Sequence, residues 1–176
     1  MLKTFYPERC ADSTYDIPFE KLYEEGYRGL IFDIDNTLVG FTVAKPSDKV
    51  IEFIKELQNK GVSVAIASNN KAERVKLFCE DLDVDFVWRA CKPLPFSLLK
   101  IAKKMKLKPK NIMLVGDQVF TDVWGANFIG MTSVMVDIID TKECFTFKLK
   151  RTLEKPIINA KIREDKRKNG KVWTGR

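Results

Sequence analysis

With 176 residues, 45% of them hydrophobic and 31% charged, the chain has the size and composition of one soluble globular domain. It contains no histidine, which excludes Ser-His-Asp triads and histidine-ligated zinc, so acid–base chemistry has to use carboxylates, lysine, tyrosine or cysteine. The net charge of +7 belongs to the C-terminal tail: residues 148–176 hold 11 Lys/Arg against three acids, a net of +8, and the remainder carries −1.

Apolar runs of strand length alternate with amphipathic helical patterns along the chain. Helices are predicted over residues 18–25, from 47–48 to just before Gly61, and over 72–80, 95–106 and 121–128. Strands are predicted over 28–33, 62–67, 85–88, 112–115 and 132–136. A last helix is expected over 144–154, followed by residues 161–176 without stable structure unless a partner orders them. The alternation predicts an α/β fold, a Rossmann-like three-layer sandwich with a mostly parallel central sheet.

The chain shows no features of export or membrane insertion. No stretch reaches the roughly 18 uncharged apolar residues of a membrane span, and residues 1–10 lack the apolar core of a signal peptide. The four cysteines are scattered without a C-x-x-C pair, and none has an arginine six residues later, as a cysteine-based phosphatase requires. We therefore expect a cytoplasmic protein with reduced thiols.

Polar residues follow three of the predicted strands, where parallel sheets bind ligands. Asp33 and Asp35 come directly after one strand, and carboxylates at i and i+2 face the same side of an extended chain. Such a pair suits covalent catalysis, in which one carboxylate attacks and the other transfers a proton, although solvated acids at a strand exit are the plain alternative.

Three further motifs follow in order along the chain. Ser68 and Asn69 end the next strand, Lys92 precedes a proline, and Asp117 and Asp122 follow the strand at 112–115. Each has an ordinary structural explanation, as helix caps or a surface lysine. Oxygen ligands such as Asp117 suit Mg²⁺, which proteins hold with one or two carboxylates.

Together, D-x-D, S-N, K-P and G-D-x-x-x-x-D resemble the haloacid dehalogenase (HAD) superfamily of phosphatases over about residues 28–138. The resemblance implies that Asp33 is the nucleophile and Asp35 the general acid and base. It implies phosphate binding by Ser68, Asn69 and Lys92. Mg²⁺ would be held by the carboxylates of Asp33 and Asp117 and the backbone carbonyl of Asp35, with Asp122 in a supporting position.

A count of charges predicts the protonation state of this site. Four carboxylates, one lysine and one Mg²⁺ leave a net of −1, which would repel a phosphate dianion unless one acid is protonated. Closely packed carboxylates raise one carboxyl pKa, so we expect Asp35 to carry that proton.

The gaps between the motifs leave no room for a large cap domain, so the site should be open. More narrowly, the chain resembles the capless subfamily IIIA, including bacterial and mitochondrial phosphatidylglycerophosphate phosphatases, through D-x-D-N-T-L-V, G-D-Q-x-x-T-D-V-x-G-A-N and Arg151-Thr-Leu-Glu154. That resemblance implies a phospholipid substrate. A nucleic-acid end, a soluble phosphorylated metabolite and a non-catalytic binding module remain alternatives.

The expected organisation is a phosphatase domain over residues 1–140 and a C-terminal helix with a basic tail over 141–176. The tail could be simply solvated, contact an anionic membrane surface or bind nucleic acid. The sequence leaves the oligomeric state open.

Overall fold

A computed structural model describes residues 2–140 and 145–169 of the chain, and its side chains over 3–140 and 149–164. Six strands form one sheet in the order β1-β6-β5-β2-β3-β4, and every neighbouring pair is parallel. The strands are β1 (Arg9–Ala11), β2 (Gly29–Phe32), β3 (Ser63–Ala67), β4 (Asp85–Val87), β5 (Ile112–Gly116) and β6 (Thr132–Val136).

In the described part of the chain, six α-helices accompany the strands: α1 (Phe19–Glu24), α2 (Asp48–Asn59), α3 (Ala72–Cys79), α4 (Pro95–Lys104), α5 (Trp124–Phe128) and α6 (Phe145–Asn169). Their ends follow local chemistry. The Ser47 hydroxyl accepts a hydrogen bond from the Val50 amide at the start of α2. Gly26 has a φ of +99° just after α1, a conformation that glycine adopts without steric cost. A single π-helical turn, Val119–Val123, leads into α5.

The helices cover both faces of the sheet, because successive strand residues point to opposite sides. Leu30 and Phe32 of β2 pack in one core cluster with residues from α1, α2 and α3. Ile31, between them, packs in a second cluster with α4 and α5. The predicted three-layer fold is confirmed. Within the described residues, α2 and β3 lie between Asp33 and Ser68, and α3 and β4 lie between Ser68 and Lys92, so neither gap holds a large cap domain.

The predicted internal strands and helices are all present, but the two ends of the chain differ from expectation. Strand β1 was missed because its three half-buried residues show no apolar run, and it pairs with β6 at the sheet edge. The expected end of the last helix at 154 is wrong, since α6 continues to Asn169. Its Ile157 and Ile158 pack against Val119, Val123 and Met135, which stabilises the helix beyond the predicted limit. Residues 170–176 of the predicted tail lie outside the described residues.

No helix among the described residues has the length and apolarity that crossing a membrane would require.

Candidate active site

Three adjacent strands bring the predicted motifs together. Phe32 of β2 is in register with Val115 of β5 and with Ile66 of β3. The chain leaves β2 at Asp33, β3 at Ser68 and β5 at Asp117, so the three polar residues meet at one edge of the sheet. The expectation that these strand ends meet at one edge of the sheet is confirmed.

Lys92 connects two of the acidic residues inside the protein. Its Nζ donates to Asp33 Oδ1 at 2.8 Å and to Asp122 Oδ1 at 2.6 Å, and all three side chains are buried. Burial acts to lower the pKa of Lys92, but the carboxylates of Asp122 and Asp33 outweigh it and raise that pKa above its usual range. Lys92 is therefore a fixed positive charge beneath the predicted nucleophile and not a solvated surface lysine.

Asp33, Asp117 and Asp122 form a buried carboxylate cluster. One oxygen from each lies within 4.8 Å of one oxygen from each of the others. Burial raises the pKa of Asp33 and of Asp117, and the cations Lys92 and Arg151 oppose part of the respective shifts. Asp117 Oδ1 is buried and has no hydrogen-bond partner among the described residues. An unpaired oxygen in a group of buried carboxylates fits a hard cation.

Asp122 is held in place from several sides. Its Oδ2 accepts from the Gln118 amide and the Thr121 hydroxyl, both at 3.2 Å, while Oδ1 accepts from Lys92. A Cβ added to Gly116 would lie 2.3 Å from Asp122 Cγ, so only glycine admits the carboxylate here. Because both oxygens of Asp122 are engaged, its contacts suit the supporting role expected from the sequence.

Asp35 lies in the same cleft but contacts a different set of residues. Its carboxylate accepts from Arg74 Nη2 at 2.9 Å and from Asn70 Nδ2 at 3.1 Å. The Asp35 carboxylate does not belong to the buried carboxylate cluster, whose members among the described residues are Asp33, Asp117 and Asp122. The Asp35 side chain is thus available to the cleft and is oriented by Arg74.

Ser68 and Asn69 follow β3, and Asn69 contacts Lys92. Ser68 Oγ accepts from the Asn70 amide at 3.1 Å, which fixes the hydroxyl at the end of β3. The Asn69 side chain accepts from the Lys92 amide at 2.7 Å and donates to the Lys92 carbonyl at 3.0 Å. Asn69 therefore positions Lys92, and its contact with phosphate stays a prediction.

An open cleft of about 230 Å³ lies above these groups. Five predicted site residues line it: Asp33, Asp35, Ser68, Asn69 and Lys92. Phe41 and Lys150 also line it. The volume of the cleft is large enough to admit one phosphate group.

Two arginines change the charge count made from the sequence. Arg74 pairs with Asp35, and Arg151 of α6 pairs with Asp117 through both its carboxylate and its carbonyl oxygen. Four carboxylates therefore face three cations, a net of −1 that a divalent cation would turn into +1. A phosphate dianion is attracted without a protonated acid. The expectation that Asp35 carries the proton for the leaving group stays a prediction.

Sequence reasoning gave no role to Arg74, Arg151 or Glu154. Glu154 is fully buried, and its Oε1 accepts from the Phe120 amide at 3.1 Å. In the sequence, Arg151-Thr-Leu-Glu154 contributes only to the family resemblance. Arg151 and Glu154 are three residues apart, and residues at that spacing on a helix share one face. This spacing is the one signal in the sequence that could suggest that both residues contact the same neighbouring segment.

The comparisons with known proteins agree with this geometry. A family model described as haloacid dehalogenase-like hydrolase matches residues 39–130. The chain is 35% identical over 161 residues to "Probable phosphatase YqeG" of Bacillus subtilis, covering 91% of this chain and 94% of that protein. The chain belongs to the haloacid dehalogenase-like hydrolases. The predicted enzyme class is confirmed at this level.

Solved structures of this superfamily have the same fold. The cobalt-bound deoxy-D-mannose-octulosonate 8-phosphate phosphatase of Haemophilus influenzae aligns with a TM-score of 0.54 at 15% identity, over 85% of this chain and 96% of its own. A HAD-superfamily hydrolase from Ehrlichia chaffeensis aligns with a TM-score of 0.53 at 14% identity, over 75% and 98%. At these identities the likeness concerns the fold alone.

Proposed function

We propose that this hydrolase is a Mg²⁺-dependent phosphomonoester phosphatase that uses Asp33 as its nucleophile. The observation that carries the proposal is the Asp33 carboxylate at the floor of the open cleft, 2.8 Å from the buried ammonium of Lys92. The lysine holds one carboxylate oxygen, and the phosphoryl group would approach the other. A preorganised cation at that point also offsets charge on the phosphoryl oxygens.

The reaction proceeds in two balanced steps. An Asp33 oxygen attacks phosphorus, the bond from phosphorus to the ester oxygen breaks, and Asp35 gives that oxygen a proton. Water then attacks the phosphorus of the aspartyl-phosphate, Asp35 takes a proton from the water, and the Asp33 carboxylate and inorganic phosphate are released. Arg74 and Asn70 hold Asp35 at the wall of the cleft, where it can reach the leaving oxygen.

The residues present fit a magnesium ion. The possible metal ligands are mostly buried carboxylate oxygens, and Asp117 Oδ1 accepts no hydrogen bond from the described residues. The chain has no histidine, which softer metals would favour as a ligand. Asp33 and Asp117 would hold the ion with the Asp35 carbonyl, and Asp122 would stay bonded to its own loop. The bound ion would neutralise and orient the phosphate oxygens.

Asp33→Asn tests the nucleophile. An amide oxygen can still accept from Lys92, so the fold should persist, but no acyl-phosphate can form. We expect a labelled phosphoenzyme from the wild-type protein and from Asp12→Asn, an exposed control, and none from Asp33→Asn. Near-normal turnover by Asp33→Asn would refute the mechanism.

EDTA should inactivate the wild-type protein, and added Mg²⁺ should restore its activity. Full activity without metal would refute the magnesium proposal.

Phosphatidylglycerophosphate is the substrate we propose. Support comes from the resemblance of the motifs and from the cap-free cleft, which suits a phosphate projecting from a large molecule or a surface. Nucleic-acid ends and soluble phosphorylated metabolites are the alternative substrates. A panel assay with Mg²⁺ should show the highest kcat/KM for the lipid. A higher kcat/KM for a phosphorylated oligonucleotide or a sugar phosphate would refute the lipid as the substrate. If no ester is hydrolysed, the protein is better explained as a non-catalytic binding module.

We further propose that α6 contacts an anionic membrane surface. Leu149 and Leu153 lie one helical turn apart on α6 and are 53% and 60% exposed, within the part of the chain that carries a net +8. Exposed apolar residues beside basic ones suit an anionic bilayer. Leu149→Ser with Leu153→Ser should weaken sedimentation with phosphatidylglycerol vesicles and spare hydrolysis of a soluble ester. Unchanged sedimentation would exclude this contact, and binding to RNA or DNA would favour the nucleic-acid alternative.

A further inference from the structure

Helix α6 holds the loop that carries the acidic motif, here named the acidic loop (residues 117–123). At one end Arg151 donates to the Asp117 carbonyl at 3.0 Å and to the Asp117 carboxylate. One helical turn later, Glu154 accepts from the Phe120 amide at 3.1 Å. One helix face therefore contacts the acidic loop at two separate points.

The two contacts lie in a packed environment. Glu154 is fully buried, and the Arg151 side chain is 18% exposed. Beyond them, Ile157 and Ile158 pack against Val119 and Val123 of the acidic loop. A charged residue is rarely buried in full without a specific partner, so the Glu154 contact is a built feature of the fold.

Arg151 also determines which oxygen of Asp117 remains available. The guanidinium engages Asp117 Oδ2 and the carbonyl of the same residue, and Oδ1 is buried without a partner among the described residues. A planar guanidinium that bonds two oxygens of one residue fixes that residue's side chain. Oδ1 is thereby held in place, and no hydrogen-bond donor in the described part of the chain competes for it.

We propose that Arg151 and Glu154 are positioning residues that set the affinity of the site for Mg²⁺ by holding the acidic loop. This inference rests on the proposed function. It extends the metal site to a helix that begins 15 residues after the segment matched by the family model. Groups that orient metal ligands typically change metal affinity by about 10–100-fold when they are removed.

The positive charge of Arg151 and its positioning of Asp117 have opposite effects on Mg²⁺ affinity. The direction in which the affinity changes when Arg151 is removed therefore shows which effect is larger. A guanidinium near the site repels a divalent cation, and its removal would tighten binding if repulsion were the larger effect. The double contact of Arg151 with Asp117 and the separate contact of Glu154 with the Phe120 amide both favour positioning. Arg151→Ala and Glu154→Ala should therefore weaken Mg²⁺ binding.

The test is a thermal unfolding titration with MgCl₂ on the full-length protein, which needs no substrate. A ligand that binds the folded state raises the unfolding temperature according to its dissociation constant. We expect Arg151→Ala and Glu154→Ala to raise that constant about 10–100-fold. Glu154→Gln keeps an acceptor for the Phe120 amide and should bind nearly as the wild type does. Arg151→Lys keeps the positive charge but cannot donate from a planar guanidinium to two oxygens at once, so its dissociation constant for Mg²⁺ should be intermediate.

Lys155→Ala removes one charge from an exposed position on the same helix and is the matched control. A cooperative unfolding transition in EDTA verifies that each variant is folded. If Arg151→Ala does not fold, the difference in Mg²⁺ affinity between Glu154→Ala and Glu154→Gln tests the inference. Unchanged or tighter Mg²⁺ binding in the alanine variants would overturn this inference alone. A wild-type protein that Mg²⁺ does not stabilise would overturn the proposed metal site and the inference together.

Discussion

The buried carboxyl of Glu154 should make the stability of this protein depend on pH. Burial raises the pKa of Glu154 from an ordinary value of 4.5 to about 7, with the Phe120 amide opposing part of the shift. Because the folded state holds this proton more tightly than the unfolded state, Glu154 contributes stability at low pH. That contribution is lost as the pH rises from about 4.5 through about 7.

The magnitude follows from the two pKa values. Between pH 5 and pH 8, a group that titrates near 7 when folded and near 4.5 when unfolded lowers the free energy of unfolding by about 2.5 kcal/mol. Glu154→Gln has no proton to release and should lack this loss. The amide leaves an unpaired donor in place of Oε2, but that cost is the same at both pH values and does not affect the slope.

Urea unfolding at pH 5 and pH 8, without metal, measures the difference. The wild type should lose about 2.5 kcal/mol more than Glu154→Gln over this range. Glu52→Gln, an exposed substitution on α2, should behave as the wild type does. If the wild type and Glu154→Gln lose equal stability, Glu154 does not titrate over this range and the reasoning is wrong.

Two substitutions test the contacts around the carboxylate cluster. Gly116→Ala would place a Cβ 2.3 Å from Asp122 Cγ and displace that carboxylate. The value of kcat/KM should therefore fall about 10–100-fold, while the circular dichroism spectrum stays unchanged. Wild-type activity in this variant would contradict the close approach of Asp122 to Gly116. Lys92→Met should abolish phosphoryl transfer and, because it leaves two buried carboxylates unpaired, cost about 3–5 kcal/mol in urea unfolding at pH 8. A loss below about 1 kcal/mol, the usual range for exposed pairs, would contradict its burial.

The order of the internal strands and helices along the chain, and the residues at the strand ends, follow from the amino-acid pattern alone. Apolar runs ending in Asp33, Ser68 and Asp117 require a buried sheet whose exits are polar, and parallel strands bring those exits to one edge. Local pattern and chain direction are enough for that inference. The ends of the chain were less readable: β1 is too short for a periodic signal, and α6 is stabilised by contacts with distant residues.

The pairing of the charged residues in the site, in contrast, depends on how the elements pack together. Arg74 lies 39 residues from Asp35, and Arg151 lies 34 residues from Asp117. Nothing in the local sequence distinguishes these arginines from solvated ones, because the pairing depends on how α3 and α6 pack on the sheet. The same holds for Glu154, whose helical pattern gives no sign that it reaches the Phe120 amide. Charge pairing over such separations is a property of packing, and packing is what a linear pattern does not contain.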